Sequence, residues 1–85
     1  MPAKNFLLPE KVRKSLNKLP PSVQNRLPMI FVEIKQNPIM GVKLLGRLTG
    51  YYKVRIGDYR IVYVFDMKKS TVSIVKIEHR QGVYR

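Results

Sequence analysis

Cysteine is absent from this chain, and histidine occurs once. The first absence removes disulfides and thiolate metal ligands, and the two together exclude a structural zinc site. Acidic residues are scarce: five Asp and Glu stand against 17 Lys and Arg, a formal net charge of +12. No apolar run approaches the roughly 18 residues that a membrane helix needs. The opening Met1-Pro2-Ala3-Lys4-Asn5 is not followed by the apolar stretch of a signal peptide. These absences suit a chain that stays in a reducing cytoplasm, with no membrane partner and no cofactor.

What is present is one domain's worth of sequence. Residues 1–85 suffice for a single domain and not for two. At this size only about 60–65% of the unfolded surface can be buried, so the core must be compact. The charge implies a polyanionic partner. Nucleic acid is the leading class, since a basic surface is the electrostatic footprint such binders share. Charge alone does not separate a binder from a nuclease.

The first half reads as helix and the second as strand. Phe6-Leu7-Leu8 is a short apolar stretch suited to an edge strand. Pro9 suits a first helical position, where its missing N–H costs nothing. Leu8, Val12, Leu16 and Leu19 then fall on one helical face, with Lys11, Arg13, Lys14 and Lys18 elsewhere. Pro20-Pro21 ends this helix. A second helix is predicted over 22–37, with Val23, Leu27, Ile30, Phe31 and Ile34 on one face; Pro28 either kinks it or splits it in two, and one kinked helix is the reading kept. Residues 39–50 read as a loop punctuated by Gly41, Gly46 and Gly50.

Two strands, 51–56 and 59–65, are rich in β-branched and aromatic residues and flank a two-residue Gly57-Asp58 turn. A last strand is expected over 72–79. The fold class is therefore α+β: an N-terminal helical hairpin on a small, mostly antiparallel sheet of three or four strands.

Alternation assigns the hairpin's faces. Tyr52, Val54, Ile56, Tyr59, Ile61, Tyr63 and Phe65 form a core face, and Lys53, Arg55 and Arg60 the other. The turn places Arg55 opposite Arg60, a like-charge pair that is unfavourable on a sheet unless an anion lies between. A basic face kept soluble by salt screening is the plainer alternative. Arg80 shares the parity of Lys76 and Glu78 and joins the basic face if the last strand lies beside the hairpin. Tyr84 follows in the tail, where its ring either packs or meets a ligand. His79 falls with Val75 and Ile77 toward the core, which suits a structural role. An imidazole is also the side chain best placed to exchange protons near neutral pH, which keeps His79 a candidate acid or base.

Lys43-Leu44-Leu45-Gly46, the run from Tyr51 to Tyr63 with its Gly-Asp-Tyr-Arg centre, His79-Arg80 and Val83-Tyr84 together resemble the RelE/ParE superfamily of bacterial and archaeal toxins. The resemblance covers nearly the whole chain. It implies a sheet with two helices on one face and a basic surface on the other. For RelE-type members it implies metal-free cleavage of messenger RNA in the ribosomal decoding site, by Lys53, Arg55, Arg60, Arg80 and Tyr84. It also implies an acidic, helical, RelB-like antitoxin, through which the toxin can oligomerise. Arg55 falls where well-known RelE toxins carry Lys. The sequence stops one residue after Tyr84, where relatives often continue into a helix, so antitoxin inhibition is expected to come from wrapping or covering the basic face. ParE-type members share the fold but inhibit DNA gyrase, and that alternative stays open. So does a non-enzymatic basic nucleic-acid-binding protein.

Overall fold

A computed structural model describes residues 2–44 and 50–79. The sheet begins with strand β1 (Asn5–Leu7). Helix α1 (Glu10–Ser15) follows and tightens into a 3-10 turn over Leu16–Lys18. Two more helices, α2 (Pro21–Gln24) and α3 (Leu27–Gln36), complete the helical layer. The remaining strands are β2 (Val42–Lys43), β3 (Tyr51–Ile56), β4 (Tyr59–Asp66) and β5 (Thr71–His79).

The α+β class and the helix-on-sheet arrangement are as expected, but the sheet has five strands in the order β1-β5-β4-β3-β2. The central pairs are antiparallel, while β1 lies parallel to β5 with Phe6 opposite Val72. β1 is the edge strand expected near Phe6-Leu7-Leu8. The other edge, β2, has little pattern to reveal it: it lies inside the stretch expected to be loop and pairs Val42 with Lys53 and Lys43 with Tyr52.

Two helical expectations are corrected. Pro9 stands one residue before α1 and accepts the Arg13 amide hydrogen bond with its carbonyl. The predicted single helix over 22–37 is two helices. Pro28 has no N–H to offer the Gln24 carbonyl, so the ladder breaks there. The Asn25 and Arg26 amides close α2 onto Pro21 and Val23, and Pro28 lies in the first turn of α3.

The helices bury one face of the sheet. Val12, Leu19, Val23, Leu27 and Ile34 pack with Ile56, Ile61, Tyr63, Val72 and Ile74 in one apolar cluster. Ile34, Ile56, Ile61 and Tyr63 have no exposed surface at all. Phe6 of β1 tilts against Phe31 of α3, with ring centroids 5.2 Å apart. Leucine and isoleucine burial of this kind contributes about 1.5–3 kcal/mol per side chain and is the main source of stability here.

Tyr63 also fixes the approach to β2. Its hydroxyl donates to the Pro38 carbonyl at 2.7 Å and accepts from the Gly41 amide at 3.2 Å. Its ring stacks on Tyr52 at 5.5 Å. Burial pushes its pKa up and the Tyr52 neighbour adds to that, with the Gly41 amide opposing. Gly41 lies so close that an added Cβ would meet the Lys53 carbonyl oxygen at 2.8 Å. One buried phenol thus ties the segment after α3 to the sheet.

Candidate functional site

The site rests on the hairpin β3–β4. Gly57 takes a φ of 56°, which glycine adopts without steric cost, and Ile56 pairs with Tyr59. This two-residue turn sets the register, and with it the face of every side chain on both strands. Tyr52 and Tyr63 stack on the helix side, so their neighbours project from the open side.

On that open side Arg55 of β3 lies directly opposite Arg60 of β4, as the spacing predicts. Lys53 lies two residues before Arg55, between Val42 of β2 and Val62 of β4. β5 pairs beside β4, as expected, and brings Lys76 opposite Val62 and Glu78 opposite Arg60. The three sequence-predicted cations within the described residues, Lys53, Arg55 and Arg60, therefore share one surface. Arg80 and Tyr84 lie outside the described residues.

A register shift beside Val62/Tyr63 gives β5 one extra residue, so Ile74 faces Tyr63 while Lys76 faces Val62. The bulge corrects the placement of Val75 with Ile77 and His79. Val75 is exposed, whereas Ile77 packs against the core. It also lets Val72 and Ile74 face the core while Lys76 and Glu78 face out, which strict alternation forbids. His79 lies opposite Tyr59, edge-on to its ring at 4.9 Å.

Glu78 was not among the residues singled out for chemistry, yet it organises this face. Its Oε2 accepts from Arg60 Nε at 3.0 Å and its Oε1 lies 3.2 Å from Lys76 Nζ. The Arg55–Arg60 opposition is thus relieved by a carboxylate within the chain. Burial pushes the Glu78 pKa up, but hydrogen bonds and charge from Arg60 and Lys76 outweigh it and hold it below the usual value. The available signal was its shared parity with Lys76 and Arg80.

Chemically this face offers guanidinium and ammonium donors to an anion, and guanidinium forks match phosphate oxygens bidentately. Among the described residues no cluster of three His, Cys, Asp or Glu side chains could hold a metal ion. No helix among them is long and apolar enough to cross a membrane.

Comparison with known proteins agrees with this fold. Residues 7–84 match the family model described as ParE toxin of type II toxin-antitoxin system, parDE. The chain is 33% identical over 75 residues to Toxin RelG of Mycobacterium tuberculosis, covering 86% of each. It is 35% identical over 85 residues to Putative toxin RelE1 of Methanocaldococcus jannaschii, covering 95% of this chain and 94% of that one. Among solved structures, the archaeal RelE-RelB complex from Pyrococcus horikoshii OT3 superposes with a TM-score of 0.79 at 27% identity, covering 92% of this chain and 96% of that chain. The RelBE2 toxin-antitoxin complex from Mycobacterium tuberculosis gives a TM-score of 0.77 at 29% identity, covering 94% of this chain and 93% of that chain.

Proposed function

Because the chain belongs to the RelE/ParE superfamily, as a RelE-family toxin of a type II toxin–antitoxin system, we propose that it cleaves messenger RNA in the decoding site of the ribosome. The observation that carries this reading is the gathering of Lys53, Arg55, Arg60 and Lys76 on the face the helices leave open. A surface that only stabilised the fold would gain nothing from opposed arginines.

In this reaction the ribose 2′-oxygen bonds to the adjacent phosphorus and loses its proton. The bond from phosphorus to the 5′-oxygen breaks, and that oxygen takes up a proton. The products are a 2′,3′-cyclic phosphate and a free 5′-hydroxyl. Arg60, with Arg80, binds the phosphate oxygens and stabilises the charge that grows on them in the transition state. Lys53 and Arg55 raise the positive potential at the phosphate, and Lys53 can also carry a proton. Tyr84 stacks on or orients a nucleotide, and His79 is the reserve acid or base. Proton transfer is the weakest part of this set, so the ribosome's alignment of the message supplies much of the rate. An acidic, helical antitoxin of the RelB kind neutralises the face, consistent with the complexes that relatives form.

The test is cleavage of message on programmed ribosomes, mapped by primer extension. Cut message at the vacant decoding site supports the reading, and intact message at toxin excess refutes it. The ParE description of the matching family model favours one second reading, inhibition of DNA gyrase. Loss of supercoiling with intact message would establish that reading instead.

A further inference from the structure

The chain has five acidic residues, and four of them serve elsewhere. Glu10 pairs with Arg13 on α1 at 3.6 Å. Glu33 lies exposed on α3 and Asp58 in the hairpin turn. Asp66 accepts the amides of Lys68 and Lys69 at 3.0 and 3.1 Å. Glu78 is the one carboxylate set among the cations of the open face.

Its placement there is specific. One carboxylate holds Arg60 through Oε2 and Lys76 through Oε1. Arg60 and Glu78 are only 24% and 26% exposed, so their hydrogen bond is partly withdrawn from solvent and resists screening. The geometry mimics what an RNA phosphate would do at this spot: one anion with two oxygens, each taken by a different cation. With Glu78 charged, it offsets one of the four cations Lys53, Arg55, Arg60 and Lys76, and the face stays positive.

We propose that Glu78 is a resident competitor for phosphate on this face. Resting on the RNA reading above, it tunes how readily that face takes up RNA. A phosphate reaching Arg60 must share it with the carboxylate or displace it. A loosely held strand in free solution competes poorly. A phosphate presented in fixed alignment does not lose the entropy of finding its place and competes well. Displacing Glu78 costs the same in both cases, so the cost empties the face of weakly held free RNA while RNA held in place still binds, which biases the toxin toward a positioned substrate. It acts through Arg60 and is a positioning residue, not a catalytic one.

The experiment compares the wild-type chain with Glu78→Gln, which keeps the side-chain length and an acceptor for Arg60 but removes the charge. Glu33→Gln makes the same change in net charge on α3, away from the face. Glu78→Thr, a good strand former without charge, serves if the Gln variant fails to fold by circular dichroism. The probe is a single-stranded RNA with one 2′-deoxy substitution at the mapped cut position, so that binding is read without cleavage. Message cleavage on programmed ribosomes is read in parallel.

The expected result is severalfold tighter RNA binding by Glu78→Gln and no such gain by Glu33→Gln. The salt dependence of the Glu78 variant should steepen by up to about 0.7 in log–log slope, the value for one further phosphate neutralised on a single strand. A residue needed only to shape the site would lose affinity and leave the slope unchanged. Equal binding by the two Gln variants, with the wild type active on ribosomes, overturns the competitor role and leaves the nuclease reading intact. Tighter binding by Glu78→Gln with no ribosomal cleavage by the wild type removes the nuclease reading and keeps Glu78 as a competitor for polyanions. No binding by any of the proteins overturns the competitor role, and the nuclease reading then stands or falls with the ribosomal cleavage read in parallel.

Discussion

The two faces of the β3–β4 hairpin are built from alternate residues of the same two strands, yet they carry opposite burdens. On the helix side, Tyr52, Ile56, Ile61 and Tyr63 sit in or against the core, and three of the four are wholly buried. On the open side, one residue along the chain in each case, stand Lys53, Arg55 and Arg60. The first face holds the protein together by excluding water. The second gathers charge that would be unfavourable without Glu78 or a bound anion. On the proposed reading, strand parity separates the residues that stabilise the fold from those that meet RNA, and single substitutions should damage one role with little effect on the other.

The largest expected effect is on the buried face. Tyr63→Ala removes a wholly buried ring and leaves the Pro38 carbonyl and Gly41 amide without their partner. Large aromatic truncations cost about 3–5 kcal/mol. That is a major part of the roughly 5–15 kcal/mol that holds a domain folded. Urea denaturation should show a much lower midpoint or no folded baseline. A loss under about 1 kcal/mol would mean that the latch between Tyr63 and the segment after α3 is unimportant.

On the open face the reverse pattern is expected. Arg60→Ala should leave the urea midpoint nearly unchanged, since Glu78 keeps its Lys76 partner. Cleavage on programmed ribosomes should fall about 10²–10³-fold, the usual cost of losing a preorganised donor to transition-state charge. Unimpaired cleavage would remove Arg60 from the site. Equal damage to folding and cleavage would show that parity does not separate the two roles.

A subtler change sharpens the same contrast. Tyr63→Phe keeps the ring and deletes only the hydroxyl, which should cost about 1–3 kcal/mol by orphaning a buried donor and acceptor. It should also change the pH dependence. Burial holds the Tyr63 pKa above its ordinary value of 10.0, so the folded state favours the protonated phenol. The resulting stability is fully present below pH 10 and is lost as pH rises through the raised value. The wild-type midpoint should therefore fall more steeply above pH 10 than that of Tyr63→Phe. Parallel curves would show that Tyr63 does not govern the alkaline limb.

These contrasts follow the line between what was legible in the sequence and what was not. The alternation from Tyr51 to Phe65 and the Gly57-Asp58 turn fix the register locally, so the Arg55–Arg60 opposition could be read without a structure. The faces of α1 and α3 were legible for the same reason. β2 was not, because two exposed residues carry no periodicity, and the Gly41 before them is held by a hydroxyl 22 residues away. The division at Pro28 was visible only as an alternative to a kink, since sequence does not say whether neighbouring contacts outweigh a lost hydrogen bond. The bulge in β5 depends on pairing with β4, so Val75 was misplaced. Glu78 was seen as a parity partner and missed as a bridge, because its role exists only once β5 lies against Arg60.

The smallest effect is expected at Arg55, and it bears most closely on how the open face works. Arg55 is exposed and stands opposite Arg60. A guanidinium stays protonated throughout the accessible pH range and is a poor proton donor. If Arg55 acts only through charge, Arg55→Lys should preserve cleavage within a few-fold, since an ammonium also binds phosphate as a point charge. The Lys variant could also do more. The positive charge of Arg60 opposite would lower the ammonium pKa, toward the range where a general acid is effective. Its cleavage rate should then equal or exceed that of the wild type and acquire a falling limb at alkaline pH as the acid is lost. Arg55→Ala should lose activity, because the charge itself is gone. Single-turnover cleavage on programmed ribosomes across a pH series compares the three proteins directly. If Lys proves as inactive as Ala, Arg55 acts through its planar fork on the phosphate, and the leaving oxygen must take its proton from His79 or solvent.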